Sequence, residues 1–248
     1  MPFPTENGLE EMYVDAEAYF HGHDTEAKKQ GGLALMDKFE KRLGRKGRFL
    51  DIGCGVGETL WAAKSAGWEY EGVDPSPEFV EVGRKFLGVE GRVCLLEDAQ
   101  FPSNHFDAVA MSAVIEHVYY PYALFQEIDR VLKPGGVLWF DAPNEDGLYM
   151  KAGNLYMKLR GRDWVVTMAP TFPPFHVQGF NPRSIKYLLQ RIGFEMEDLQ
   201  IFGDVWELTG EASVAKKIET KLASAISWFG NRINQGLYMG IWARKPMA

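Results

Sequence analysis

From Arg48 onward, short apolar runs alternate with stretches whose apolar residues recur every three to four positions, the pattern of strands and amphipathic helices in βαβ order. Arg48–Gly53 reads as a first strand that ends in glycines, which open a helix near Thr59–Ala66. Glu69–Val73 predicts a second strand closed by Asp74-Pro75, and Pro77–Leu87 carries Phe79, Val80, Phe86 and Leu87 on helical spacing. Arg92–Leu96 and the buried run Phe106–Ser112 predict strands three and four. The helix predicted over Pro121–Leu132 stops at Lys133-Pro134-Gly135-Gly136, where proline and glycine cannot continue it, and Val137–Asp141 predicts the fifth strand. These elements place the chain in the α/β class with a mostly parallel sheet.

Between Ala142 and Phe180 the rhythm lapses. Trp164, Phe172 and Phe175 cluster there, and Pro170, Pro173 and Pro174 break regular structure, so the segment reads as a cap insertion, 142–180, over a site. Asn181-Pro182 then supplies an N-cap and a first-turn proline for a helix to Ile192, with Gly193 after its end and a strand over Phe194–Phe202. A last helix, Ala212–Ile233, aligns Val214, Ile218, Leu222, Ile226, Phe229 and Ile233 on one face, with Lys216, Lys217 and Lys221 opposite. Its place between two strands predicts that the apolar face packs into the core rather than on a membrane. Leu237–Ala243 closes the chain as a strand. The expected organisation is an N-terminal lid segment, 1–34, and one main domain, 35–248.

Composition narrows the function. The 248 residues are 46% apolar and 25% charged, enough to build a large core, and 27 basic against 34 acidic residues give a net charge of −7. That balance works against a nucleic-acid partner, and the basic run Lys41–Arg48 reads as a solvated helix end. Cys54 and Cys94 are the only cysteines and lack CxxC spacing, so neither a disulfide framework nor a cysteine-rich zinc site is expected. No apolar run reaches the ~18 residues a membrane span needs, and the N-terminus lacks a signal-peptide pattern, so the chain reads as cytoplasmic.

The segment Phe49-Leu50-Asp51-Ile52-Gly53-Cys54-Gly55-Val56-Gly57 runs a buried strand into glycines at a helix N-terminus, where a ligand can approach the backbone closely. In a dinucleotide loop the third glycine would come one residue later, where Glu58 stands, and an acid there repels pyrophosphate. Asp51 beside the loop suits a cationic ligand. Asp74, 74 − 51 = 23 residues on and at the end of the second strand, can accept hydrogen bonds from both ribose hydroxyls. A ligand with a ribose, positive charge and no phosphate is implied, and S-adenosylmethionine has that chemistry. A nucleotide-linked oxidoreductase is opposed by the glycine spacing and Glu58.

In order, FLDIGCGVG, EGVDPS, LEDAQFPSNHFDAVAMSAVIEHV and VLKPGGVLWFDAPN resemble the class I S-adenosylmethionine-dependent methyltransferases, particularly the small-molecule branch with the ubiquinone-biosynthesis O-methyltransferases. The resemblance spans Leu35 to Asn144, and NPRSIKYLLQRIGF more loosely. It implies a Rossmann-like, doubly wound, seven-stranded sheet whose last strand is antiparallel. By this resemblance Asp51, Gly53, Gly55 and Gly57 line the methionine part of the cofactor, Asp74 the ribose, and Asp98 with Ala99 the adenine. Pro75 and Ser112 join this set.

Methyl transfer is an in-line displacement that asks mainly for orientation and exclusion of water, but a neutral hydroxyl nucleophile also needs a base. His117, after the fourth strand, and His176, at the exit of the insertion, are the candidate bases. The ubiquinone-type relatives read Glu-x-x-Glu-His at the first position and can hold a divalent metal. Here Ala113 replaces the first Glu, and no metal site is expected. His21-Gly22-His23-Asp24 and His105 read as ordinary surface residues. Tyr13, Tyr19 and Phe20 are candidates for a lid over the cofactor; Trp164, Phe172, Phe175, Tyr119 and Tyr120 are candidates for acceptor walls. The leading expectation is O-methylation of a small molecule, no nucleic acid being involved. The alternative is a non-catalytic S-adenosylmethionine-binding module used in sensing or assembly.

Overall fold

The computed structural model describes residues 16–22, 24–162, 176–203 and 214–247. Helices α1 (Ala16–Gly22) and α2 (Thr25–Leu43) precede strand β1 (Arg48–Ile52), α3 (Glu58–Ser65) and β2 (Glu69–Asp74). Then follow α4 (Pro77–Leu87), β3 (Arg92–Val93), β4 (Phe106–Met111), α5 (Pro121–Val131) and β5 (Leu132–Pro143). The chain ends with α6 (Leu148–Leu159), α7 (Pro182–Ile192), β6 (Glu195–Phe202), α8 (Val214–Arg232) and β7 (Tyr238–Arg244).

The seven strands form one sheet in the order β3-β2-β1-β4-β5-β7-β6. Neighbours from β3 to β5 are parallel, and β7 lies antiparallel between β5 and β6. Strand order reverses between β1 and β4. In open α/β sheets ligands bind beyond the carboxyl ends of the strands at this switch point.

Side chains alternate across the buried strands and build two cores. Leu50, Ile52, Val109, Met111, Leu138 and Phe140 face α5 and α7, meeting Phe125, Ile128, Ile185 and Leu189. Phe49, Ala108, Ala110 and Val137 face α2 and α3, where Phe39 lies edge-on to Trp242 at 5.0 Å. Small residues let α2 and α3 approach: a Cβ on Gly32 would stand 2.8 Å from that of Ala62. Asp107 ties the amino-end of the sheet together, accepting from Arg45 at 2.6 Å, Lys133 at 2.8 Å and the Arg48 amide at 2.9 Å. With Arg42 stacked on Trp242 and Arg48 bonded to Glu69, the basic run 41–48 is spent on the fold itself.

Four differences from the sequence reading have physical causes. The third strand is two residues long, because the chain turns into a 3-10 turn at Glu97–Ala99. The fifth begins at Leu132, and a register shift between Phe106 and Ala108 absorbs Lys133-Pro134-Gly135-Gly136 before the regular ladder starts at Val137. Helix α6 lies inside the predicted insertion; Gly153 and Asn154 weaken its helical signal. Finally, α8 does not bury most of its predicted apolar face: Leu222, Phe229 and Ile233 are exposed and Ile226 is half-buried, while Ala223, Ser227 and Gly230 point inward. The inward side approaches the chain too closely for large residues, with Ser227 Oγ donating to the Gly203 carbonyl at 2.9 Å. The side chains of Val214 and Ile218 lie outside the described residues. Helix α2 runs unbroken through residues 34 and 35.

Candidate active site

The carboxyl ends of β1, β2, β4 and β5 converge at the switch point. After β1 the chain must turn sharply into α3, and Gly53, Gly55 and Gly57 all have positive φ. Their surroundings differ. A Cβ on Gly53 would strike Val114 at 2.4 Å and one on Gly57 would strike Val89 at 2.7 Å, so both are packed from behind. Gly55 has open space on that side, and it is there that a ligand can lie against the backbone.

Asp74 organises this turn. Its Oδ2 accepts from the Gly55 amide and its Oδ1 from the Ser76 amide, both at 2.8 Å, and Ser76 Oγ caps α4 by accepting from Phe79 at 3.3 Å. Each carboxylate oxygen keeps a further lone pair for a ligand hydroxyl. Burial raises the Asp74 carboxyl above the usual range, against the pull of the two amides. Asp51 is fully enclosed beside it, and burial, then the charges of Asp74 and Glu58, push its carboxyl well above the usual range. Two neighbouring buried acids favour a cation between or beside them, because the cation relieves what burial and mutual repulsion cost. Lys28 reaches Glu58 at 3.5 Å from α2. Pro75 is half-buried behind Asp74.

Asp98 and Ala99 occupy the 3-10 turn after β3, with Asp98 exposed and its amide bonded to the Leu95 carbonyl at 3.2 Å. They stand at the neighbouring strand end, as a position for the adenine requires.

Beyond β4, Ser112 and Ala113 are held from β5. Asp141 accepts from Ser112 Oγ at 3.0 Å and from the Ala113 amide at 2.6 Å, fixing Ala113 at φ 51°. Asp141 was not singled out from the sequence; its signal was the acid at the end of the fifth strand in WFDAPN. Burial raises its carboxyl too.

The loop continues into a 3-10 turn, Ile115–His117. The Glu116 carbonyl accepts from the Val177 amide at 2.8 Å and the Gln178 amide at 3.1 Å, which clamps the exit of the insertion onto the segment after β4. This brings together the two histidines predicted as bases, with ring centroids 5.0 Å apart. Ligand atoms of Glu116, His117 and His176 all lie within 4.8 Å of one another. Glu116 is 3% exposed, burial pushes its carboxyl up to about 7, and its Oε2 has no hydrogen-bond partner. Glu116 is the second Glu of the Glu-x-x-Glu-His pattern, to which the sequence reading assigned no role of its own.

Other candidates fall elsewhere. His105 lies at the opposite, amino-end of β4, 3.2 Å from Arg48, and Asp24 caps α2 by accepting from the Ala27 amide at 2.9 Å. His21 packs edge-on to Phe20 and Phe86. Phe20 stacks on Phe86 at 5.0 Å, and Ala16 packs with Val56 of the glycine turn, so α1 lies against the turn. Tyr119 is half-buried and Tyr120 exposed. Tyr13, Trp164, Phe172, Phe175, His23 and the Tyr19 side chain lie outside the described residues.

Comparison with known proteins agrees with the fold. A family model described as "Methyltransferase domain" matches residues 23–199. The ubiquinone biosynthesis O-methyltransferase of Xylella fastidiosa is 28% identical over 172 residues, covering 66% of this chain and 68% of that protein. A crystal structure of an S-adenosylmethionine-dependent methyltransferase from Archaeoglobus fulgidus superposes with a TM-score of 0.61 at 23% identity, over 92% of this chain and 97% of that one. The cyclase SpnF superposes with a TM-score of 0.54 at 21% identity, over 87% and 82% of the two chains.

Proposed function

Since the chain belongs to the methyltransferase-domain family and is an S-adenosylmethionine-dependent methyltransferase, we propose that it methylates an oxygen of a small-molecule acceptor at the switch point. The observation that carries the acceptor side of this reading is the meeting of His117 and His176, 59 residues apart in sequence (176 − 117), at the carboxyl-end of β4. The cofactor side rests on the open face at Gly55 and on the buried acids Asp51 and Asp74.

S-adenosylmethionine, when bound, supplies a methyl carbon made electrophilic by positive sulfur. Asp51 and the turn Gly53–Gly57 hold the cationic end, Asp74 accepts from the ribose hydroxyls, and Asp98 with Ala99 borders the adenine. Pro75 shapes the wall behind Asp74. Asp141 keeps Ser112 and Ala113 in place through two hydrogen bonds, so the loop that carries His117 is set before an acceptor arrives. An imidazole of His117 or His176 takes the proton from the acceptor hydroxyl at neutral pH. Helix α1, packed on the glycine turn, and the 142–180 cap serve to exclude water.

A second reading is favoured by the unpartnered Oε2 of Glu116. Glu116, His117 and His176 form a donor set of one carboxylate and two imidazoles, which suits a divalent cation. The expectation of no metal rested on Ala113; His176, arriving from the other side of the site, supplies the third donor that Ala113 lacks. With a cation there, the same three residues would lower the acidity threshold of a bound hydroxyl instead of taking its proton directly.

One experiment separates these readings and the sensing alternative. S-adenosylhomocysteine binding and methyl transfer to a panel of phenols and alcohols are measured for wild type, His117→Ala and His176→Ala, with and without chelator. Base catalysis predicts turnover lost in a histidine variant, insensitive to chelator, with product binding intact. Chelator-sensitive turnover restored by Zn²⁺ or Mg²⁺ favours the cation. A protein that binds product yet methylates no oxygen acceptor in the panel overturns O-methylation and returns the sensing module to the front.

A further inference from the structure

We propose that the outward face of α6 and α8 docks on an anionic phospholipid surface. Helix α8 is built inside out for a core element. Its inward positions Ala223, Ser227 and Gly230 carry small side chains, whereas Leu222 is 60% exposed and Phe229 51%. Leu222 and Phe229 stand at i and i+7, which places them on one stripe of the helix, and the exposed Ile233 follows directly after its end. The adjoining α6 does the same: Leu155 and Leu159, four residues apart, are 58% and 79% exposed. The helices are joined at one end, where the Leu148 amide donates to the Gln235 carbonyl at 2.9 Å and Leu148 packs against Gly230. Large apolar side chains held outward on two neighbouring helices mark an interaction surface.

The charge around them selects the partner. Residues 146–162 and 214–235 contain eight lysines and arginines against two acids, Asp146, which pairs with Lys151 at 3.3 Å, and Glu219, in a chain whose net charge is −7. Among the described side chains, Lys151, Lys158, Arg160, Arg162, Lys221 and Arg232 are exposed. A second copy meeting this face through its own would set these cations against their equals, so self-association is disfavoured. An anionic bilayer answers both properties, accepting the apolar stripe at the headgroup boundary and the cations among its phosphates. Arg232 stacks 3.8 Å over Trp228 and Arg160 bonds the Tyr156 hydroxyl at 2.7 Å, so cations and rings stand together at the rim. No described helix is long and apolar enough to cross a membrane, so this surface lies on the bilayer. Because α6 starts 148 − 143 = 5 residues after β5 ends, the first turn of α6 adjoins the carboxyl-end of the sheet. The inference goes beyond methyl transfer and does not depend on the acceptor.

The test is co-sedimentation of the full chain with phosphatidylcholine vesicles and with vesicles of phosphatidylcholine and phosphatidylglycerol, at low and high salt. Wild type is expected to partition at least about tenfold better onto the anionic vesicles, with the preference collapsing in high salt. Leu159→Glu/Phe229→Glu should abolish partitioning while keeping the thermal shift by S-adenosylhomocysteine, which certifies fold and cofactor site. Lys158→Ala and Lys221→Ala should each weaken it by about fivefold. Three results overturn the proposal: no preference for anionic vesicles, unchanged partitioning in the double Glu variant, or a wild-type dimer by light scattering that the double variant dissolves.

Discussion

The carboxylate of Asp74 holds two backbone amides and, in the proposed complex, the two ribose hydroxyls, so its replacement by asparagine has a calculable signature. At a concentration about 100 times its dissociation constant, S-adenosylhomocysteine stabilises the wild type by roughly 2.7 kcal/mol. For 248 residues the unfolding entropy is roughly 0.5 kcal/mol per degree, so the melting midpoint rises by about 5 °C. Asp74→Asn keeps the shape but removes the charge and one acceptor oxygen. Losing the charge-assisted bonds to the ribose costs about 3 kcal/mol, a dissociation constant about 100-fold higher. Ligand then stands near its dissociation constant, the stabilisation falls to about 0.4 kcal/mol, and the rise shrinks below about 1 °C. The unliganded variant should lose less than about 3 kcal/mol, since one of the Gly55 and Ser76 amides keeps its partner and a buried charge is relieved. Differential scanning fluorimetry of both proteins with S-adenosylhomocysteine, with NADH and in buffer reads all of this. A full rise retained by Asp74→Asn would refute the ribose assignment, and a rise with NADH would refute the reading of the glycine turn.

Four further outcomes are expected. Asp107→Asn should destabilise by about 2 kcal/mol at neutral pH, because Arg45, Lys133 and the Arg48 amide hold the Asp107 carboxyl below its ordinary value; that stability is present above 3.8 and lost as pH falls through the folded-state value, so the gap in urea midpoints should close in acid. S-adenosylmethionine should bind more tightly as pH rises through the elevated Asp51 value, since the cation prefers the ionised acid; calorimetry that gives a flat profile counts against Asp51 facing the charge. Ala113→Gly should stabilise by about 0.5–1 kcal/mol in denaturant titrations, because φ 51° suits glycine. Asp141→Ala, which frees Ser112 and the Ala113 amide, should lower kcat more than it weakens S-adenosylhomocysteine binding.

The strands and the glycine turn after β1 were legible in the sequence because each depends on contacts close in the chain. Buried parallel strands need continuous apolar runs, and the turn after β1 needs glycine at positive φ, so FLDIGCGVG announces both. The acid at the end of β2 follows from the same βαβ unit. Helix α6 was hidden because Gly153-Asn154 breaks the propensity of a helix whose stability comes from its neighbours.

The cluster of Glu116, His117 and His176 was only half legible, and the reason lies in how it is assembled. His117 and His176 were each visible as residue types suited to proton transfer, yet their meeting depends on amide bonds from Val177 and Gln178 to the Glu116 carbonyl, which no local pattern encodes. Glu116 matches the second Glu of Glu-x-x-Glu-His, but its burial and its unpartnered Oε2 depend on the folded surroundings and no local pattern encodes them. The misreading of α8 has the same root. Periodicity fixes which residues share a face but not which way that face turns, and a stripe of Leu, Phe and Ile is read as inward only by assuming that water lies outside. When small residues on the opposite side allow close backbone approach, the helix can pack through them and hold its large side chains outward. The sign of amphipathicity is therefore a tertiary property, decided here by Ala223, Ser227 and Gly230 against the segment at Gly203 and Leu148.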